Sequence, residues 1–447
     1  MKRIIIFKLI LLTSLFSQRV VGYYPKWMHD EFPVSDIHLS IVTHVIHTFA
    51  WPDDEGNVLS YSNMFNATIN ETIHTGGGKI LLALGGWGND VGFSTVAASP
   101  GLRNTFINNL IVVCNTYGYD GIDMDWEYPQ SPEDRQNLNF LMAEMDSSFN
   151  AHNPEWLITM AVPVSNWYGQ WYDFSFLQFF VDFFNAMTYD IHGSWTDHAG
   201  HNSPLYRSPP DDPDGSCHTG INYLVNSRGI PESQINLGLA FWGKQYDAST
   251  INGAFTGTVI DKRYYEIPSL INNGWTYHWD SDAYCPFLAK DDQTKILTFD
   301  DPESIRHKCE YALERELGGV MIWALGYDVT ENGQELIQSI HDNYLENDNI
   351  NADIIPTHLS LHAYPNPFNP VTNIDIELAR EEHVQLNVFS VNGHHLETLV
   401  DDRLQKGRYS FVWNGRKEKN GNMSSSLYFI KLAGENSQIV KKVIYLK

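Results

Sequence analysis

Three carboxylates at alternating positions, Asp123, Asp125 and Glu127, lie in the run DGIDMDWEYP (residues 120–129) and are the residues best spaced to do chemistry. Read as a strand over 121–127, the run sends all three to one face, and Met124 and Trp126 to the other. Desolvation and mutual repulsion on an enclosed face keep at least one of them protonated near neutral pH. A neutral carboxyl beside a charged one can protonate a glycosidic oxygen. A solvated edge strand is the first alternative, but Ile122, Met124 and Trp126 make the second face apolar as well. A metal cage is the other, but it would draw on more oxygen or histidine ligands, and the strand carries no histidine.

An enclosed face needs walls. Short apolar segments recur at 20–24, 43–49, 79–84, 121–127, 157–164, 183–190, 235–242 and 318–325, with helical patterns such as PGLRNTFINNLIVVCNTYG and ESIRHKCEYALEREL between them. Eight near-continuous apolar strands separated by helices predict an α/β fold, a closed (β/α)8 barrel. In that barrel the acidic face is the interior, and Glu127 is at the C-terminal end, where barrel active sites lie. The gap between the seventh and eighth strands is too long for one helix. It predicts an α+β insertion over about 244–316, in which TVIDKRYYEI and KILTFD read as strands.

The chain has 447 residues and calls for more than one domain. MKRIIIFKLILLTSLFSQ has the positive start and apolar stretch of a signal peptide, assigned to 1–17. The barrel is assigned to 18–345 and a linker to 346–356. Over 357–447, alternating segments (TNIDIEL, HVQLNVFSV, GRYSFVW, LYFIKLA, VKKVIYL) follow a proline-rich YPNPFNP, with turn dipeptides at 392–393, 406–407 and 420–421. Period-two alternation with such turns predicts an Ig-like antiparallel β-sandwich. Acidic residues outnumber basic ones 54 to 29, for a formal charge of −25, which argues against nucleic acid or anionic membrane as partners. No segment past the N-terminus is apolar enough to span a membrane, and a monomer is expected. Export would place Cys114, Cys217, Cys285 and Cys309 in an oxidising compartment, where they could form one or two structural disulfides in any pairing. The 18 histidines show no metal-ligand spacing, so no metal and no cofactor are expected.

The acidic run matches, at Asp120, Asp123, Asp125 and Glu127, the DxxDxDxE signature of glycoside hydrolase family 18. KILLALGGW (79–87) resembles that family's third-strand motif, with Ala83 where serine is usual. AMTYD (186–190) resembles its sixth-strand motif, and Trp323 its cleft-floor tryptophan. The resemblance covers about 19–345 and implies a retaining, substrate-assisted hydrolysis of β-1,4 bonds between N-acetylglucosamine units. It implies that Glu127 is the acid and then the base, that Asp125 holds the acetamido group, and that Asp123 tunes Asp125. Tyr189 would stabilise the oxazolinium ion, Asp190 would contact the distorted sugar, and Met187 would line its pocket. Trp323 would lie under that sugar, with Trp87 and Trp195 on the leaving-group side and Tyr128 bordering the cleft. Tyr23, Phe49 and Trp242 are read equally as cleft residues or as ordinary packing.

YPNPFNPVTNI, LNVFSVNG and the final KKVIYLK resemble the sorting domain of bacteria with type IX secretion. The resemblance implies export across an outer membrane to the medium or cell surface, with the secretion machinery as partner. Trp413, the only tryptophan of that module, leaves little for a flat sugar-binding platform. The expected activity is an endo-acting chitinase on chitin and chito-oligosaccharides. An endo-β-N-acetylglucosaminidase acting on N-glycans and a non-catalytic chitin lectin are the alternatives.

Overall fold

A computed structural model describes residues 18–345 continuously and most of 360–445. The predicted signal peptide (1–17), the linker (346–356), most of YPNPFNP and parts of the three turn dipeptides lie outside the described residues. The chain divides into two units, Met1–Asn347 and Asp348–Lys447.

In the first unit, eight parallel strands close on themselves. They are β1 (Arg19–Pro25), β2 (His44–Pro52), β3 (Lys79–Gly85), β4 (Gly121–Asp125), β5 (Leu157–Val162), β6 (Phe183–Ala186), β7 (Ile235–Ala240) and β8 (Gly319–Trp323). Each pairs with its sequence neighbour, and β1 also pairs with β8 (Arg19↔Gly319 to Gly22↔Ile322), so the eight-stranded barrel closes, and a short strand, Val58–Ser60, is added antiparallel to the end of β2. The pleat divides the apolar residues into two cores. Val21, Tyr23, Ile46, Phe49, Leu81, Ala83, Ala161, Phe183 and Met321 fill the barrel. Their alternates, among them Ile80, Leu82, Ile122, Met124, Met160 and Ile322, pack outward with the helices.

Three of those helices start by the same device. Ser99, Ser131 and Asp301 cap helices Pro100–Tyr117, Pro132–His152 and Pro302–Glu314, each accepting a backbone N–H from the third helical residue. Proline follows at the first helical position, where no amide donor is needed.

The strand predicted over 121–127 stops at Asp125. Beyond it the Trp126 carbonyl accepts from the Tyr172 phenol (2.8 Å) instead of from a strand. Glu127 is therefore held by a loop.

Between β7 and β8 lies a five-stranded antiparallel sheet, in the spatial order Thr256–Arg263, Trp242–Asp247, Ile296–Thr298, Cys285–Lys290, Trp275–Asp280. Two single helical turns, Tyr264–Glu266 and Pro268–Leu270, lie between its strands, and helix Pro302–Glu314 leads from it to β8. The second unit contains a three-stranded and a four-stranded antiparallel sheet with a common core that includes Ile374, Ile376, Leu386, Val388, Ile430 and Leu432. Trp413 is buried there against Phe368 and Tyr428 (5.1 and 5.3 Å between rings), so it offers no exposed platform.

Candidate active site

Asp123 and Asp125 are both buried and project into the barrel from β4. Both oxygens of Asp123 are used. Its Oδ2 accepts from the Tyr23 phenol at 2.7 Å, and its Oδ1 accepts from Thr159 Oγ1 at 2.5 Å and Asn185 Nδ2 at 3.0 Å. A relay stands behind: Asn236 Nδ2 donates to Asn185 Oδ1 (2.9 Å) and Arg19 Nε donates to Asn236 Oδ1 (3.1 Å). Burial pushes the Asp123 carboxyl upward, and these three donors pull it back toward the ionised form.

Asp125 is wired differently. Its buried Oδ1 has no hydrogen-bond partner. Desolvation first, then the charges of Glu127 and Asp123, hold its carboxyl well above the ordinary range. Glu127, half-buried at the mouth, is pushed up to about 7, chiefly by burial and further by Asp190, against stabilising contacts from Tyr128 and the Trp87 backbone. The constellation has one acid near its neutral point, one buried carboxyl without a donor, and one carboxylate with three.

The two glycines that end β3 make the close approach possible. Gly85 has φ +117°, and a Cβ there would fall 2.2 Å from the Asp125 carbonyl oxygen. Gly86 (φ +83°) donates its amide to that oxygen at 2.8 Å and faces the Phe49 ring. Ala83 is buried, in register with Asp123. Asp123 finds its donors on other strands.

The remaining predicted residues surround this centre. Tyr189, half-buried, donates to Met321 Sδ (3.7 Å). Met187, Tyr189 and Trp323 all pack against the interior core. Trp323 is flanked by Tyr23 (5.4 Å), Phe49 (5.7 Å, near-parallel) and Trp27 (6.4 Å, edge-on). Tyr23, Phe49 and Trp242 are all buried, and Trp242 lies edge-on to Tyr189 at 4.9 Å. Tyr128 stacks on Tyr168 (3.9 Å) and meets Trp87 edge-on (6.5 Å). Trp87 is 75% exposed and Trp195 60%, a large apolar surface to leave in water. Asp190, in the left-handed region at φ 54°, pairs with Lys244 (2.7 Å), and the same ammonium lies 5.3 Å from the centre of the Trp195 ring.

Several of these partners were not singled out in the sequence. Thr159 and Asn185 are lone polar residues in apolar strands, and Lys244 interrupts an aromatic run, so each left a signal. Trp27, 40% exposed against Trp323 and Tyr61, follows directly on β1 and left none beyond its position. Two expectations are corrected. All four cysteines are free, buried thiols. Cys217 and Cys285 donate to the Thr188 and Ser203 carbonyls (3.2 Å each), which satisfies them without a bridge. Among the described residues the histidines, dispersed in sequence, do form one array: His192, His198, Asp212 and Asp214 bring donor atoms within 4.8 Å of one another.

A closed eight-stranded barrel with stacked carboxyls at its C-terminal mouth defines the chain as a barrel glycoside hydrolase. Residues 19–328 match the model of glycosyl hydrolases family 18, and the chain belongs to that family. Residues 362–446 match the secretion system C-terminal sorting domain, which marks the chain for secretion. Chitinase A1 of Niallia circulans is 27% identical over 72% of this chain, which spans 58% of that protein's length. The crystal structure of Ostrinia furnacalis Group IV chitinase in complex with allosamidin is similar at 26% identity and TM-score 0.68, covering 74% of this chain and 99% of that one. A family 18 N-acetylglucosaminidase from Paenibacillus barengoltzii is similar at 26% identity and TM-score 0.67, over 73% and 99%. No helix among the described residues is long and apolar enough to cross a membrane.

Proposed function

We propose that the enzyme is an endo-acting chitinase that cleaves β-1,4-linked N-acetylglucosamine with retention, the acetamido group of the substrate serving as nucleophile. The observation that carries this reading is the contrast between Asp123, held by three donors, and Asp125, whose inward oxygen has none. A buried carboxyl without donors gains most from an N–H brought by the substrate, and an acetamido N–H is such a donor. Held by that bond, the acetamido oxygen attacks the anomeric carbon. Glu127, near its neutral point at about 7, gives its proton to the leaving oxygen and then takes one from water. Tyr189 steadies the charged intermediate, and Asp190, held by Lys244, meets the distorted sugar. Trp323 supports that sugar, and Trp87 and Trp195 supply flat faces for its neighbours.

Similarity to proteins named as chitinases supports chitin as the substrate class. The C-terminal match supports delivery to the cell surface or medium of a bacterium with an outer membrane. Time-resolved product analysis on colloidal chitin, with wild type and Glu127→Gln, tests the reading. The expected result is a spread of oligomers from wild type alone, first appearing as the β-anomer by NMR. Release of high-mannose glycans from glycoprotein, with chitin intact, would move the substrate to N-glycans. Chitin binding without products from either protein would favour a lectin.

A further inference from the structure

We propose that His192, His198, Asp212 and Asp214 form a divalent-cation site of the zinc class, which ties together the loop that carries Trp195. All four lie in the connection between β6 and helix Cys217–Asn222, and the proposal is independent of the substrate reading.

The hydrogen-bond arithmetic of the cluster leads to this assignment. His192 and Asp212 are buried, with His192 Nε2 3.0 Å from Asp212 Oδ2. The other ring nitrogen, Nδ1, faces the His201 carbonyl at 2.8 Å and must carry its proton, because a carbonyl can only accept. His198 repeats the pattern. Its Nδ1 faces the Asp197 carboxylate at 2.9 Å, and its Nε2 faces the same Asp212 oxygen at 3.4 Å. Asp212 Oδ1 is already occupied by the Asp214 amide (2.8 Å), and Asp214 Oδ2 lies 3.7 Å from His192 Nε2. With protons alone, both Nε2 atoms, one of them on the buried His192 ring, would have to share the single Asp212 Oδ2, since Oδ1 is taken, with the ring centres 4.8 Å apart. One divalent cation replaces both protons and leaves each ring neutral, with its lone pair on the ion.

The donor geometry fits. Bonds of about 2.0–2.1 Å in a tetrahedron separate the ligand atoms by roughly 3.3 Å. Three of the six separations, 3.0, 3.4 and 3.7 Å, bracket that figure, and all four ligand atoms lie within 4.8 Å of one another. Two imidazoles and two carboxylates suit zinc or a neighbouring first-row ion better than calcium or magnesium, which favour all-oxygen sets. A carbonyl behind one histidine and a carboxylate behind the other are the supports that metal-bound imidazoles commonly have. Four protein ligands leave no open position, so the ion is structural. It joins His192 to Asp212, 20 positions apart, with Trp195 between its two histidines.

The test uses tag-free full chain, stripped with chelator and dialysed against zinc or cobalt(II) chloride, with metal content by elemental analysis. The expected result is one zinc per chain, a visible cobalt spectrum of four-coordinate intensity, and slower amide exchange across 191–214 when zinc is bound. His198→Ala/Asp214→Ala, which alters only the more exposed side of the cluster, should lose both the ion and the cobalt spectrum. If that variant does not fold, the wild-type exchange map decides the location. Less than about a tenth of an equivalent in wild type would overturn the proposal, as would unchanged exchange across 191–214. Full zinc retention by the folded double variant would overturn it equally.

Discussion

Tyr23 donates its phenolic O–H to Asp123 Oδ2 at 2.7 Å, joining residues 100 apart in sequence across the inside of the barrel. Through Asp123 it reaches Asp125, and so biases a carboxyl it does not touch. Tyr23 is a positioning residue on this geometry, one of three donors that decide where the charge of the acid stack resides.

Tyr23→Phe keeps the ring and removes the donor. A hydrogen bond to a charged group is worth about 1.5–3 kcal/mol, so kcat should fall roughly 10- to 100-fold. The lost donor favoured ionised Asp123, and its proton affinity therefore rises. The acid limb of the pH–rate profile should move to higher pH, whereas a merely structural loss would lower the profile without moving the limb.

Glu127 must hold a proton to act as an acid, and it is held at about 7 by burial and by Asp190. Activity should therefore persist below neutrality and fall as pH rises through about 7. Asp190→Asn removes one of the charges that oppose Glu127 ionisation, so the alkaline limb should shift to lower pH. A pH profile of kcat on a short chromogenic chito-oligosaccharide reads the limb separately from any loss in height. An unmoved limb would break the link between Asp190 and the acid.

Lys308 is fully buried and donates to both oxygens of Asp300 (2.6 Å each) and to Ser203 Oγ (2.8 Å). Lys308→Met leaves Asp300 buried and unpaired, which should cost about 3–5 kcal/mol. Replacing both, Lys308→Met with Asp300→Leu, should recover most of the loss in urea titrations. A double variant as unstable as the single one would mean that the ammonium serves Ser203 more than Asp300.

With all four thiols free, thiol titration should find four groups per chain in denaturant and almost none in the native protein. Reductant should leave Tm unchanged. Two titratable thiols in denaturant would mean that one bridge forms.

The eight strands, the acidic face of β4 and the sandwich strands were legible because each is written locally, in alternation, in turn residues or in one short motif. Ser-Pro and Asp-Pro pairs likewise mark the helix starts, since capping needs only adjacent residues. What a barrel closure decides is different in kind. Asp123 takes its donors from residues 100, 36 and 62 positions away. No spacing rule connects them, because hydrogen bonds form across a sheet whose register is set by the packing of both its faces. β4 ends at Asp125 where the Trp126 carbonyl turns to the Tyr172 phenol, 46 positions away, and this put Glu127 on a loop. The four thiols are buried and free, and two of them donate to backbone carbonyls that the fold brings to them. The histidine–aspartate cluster is invisible at a 20-residue separation and plain once the loop returns. The sequence by itself determined which residues could do chemistry and on which face of a strand they lie. Only the tertiary structure decided which carboxyl is satisfied and which is left waiting, because desolvation and donor supply belong to the closed barrel.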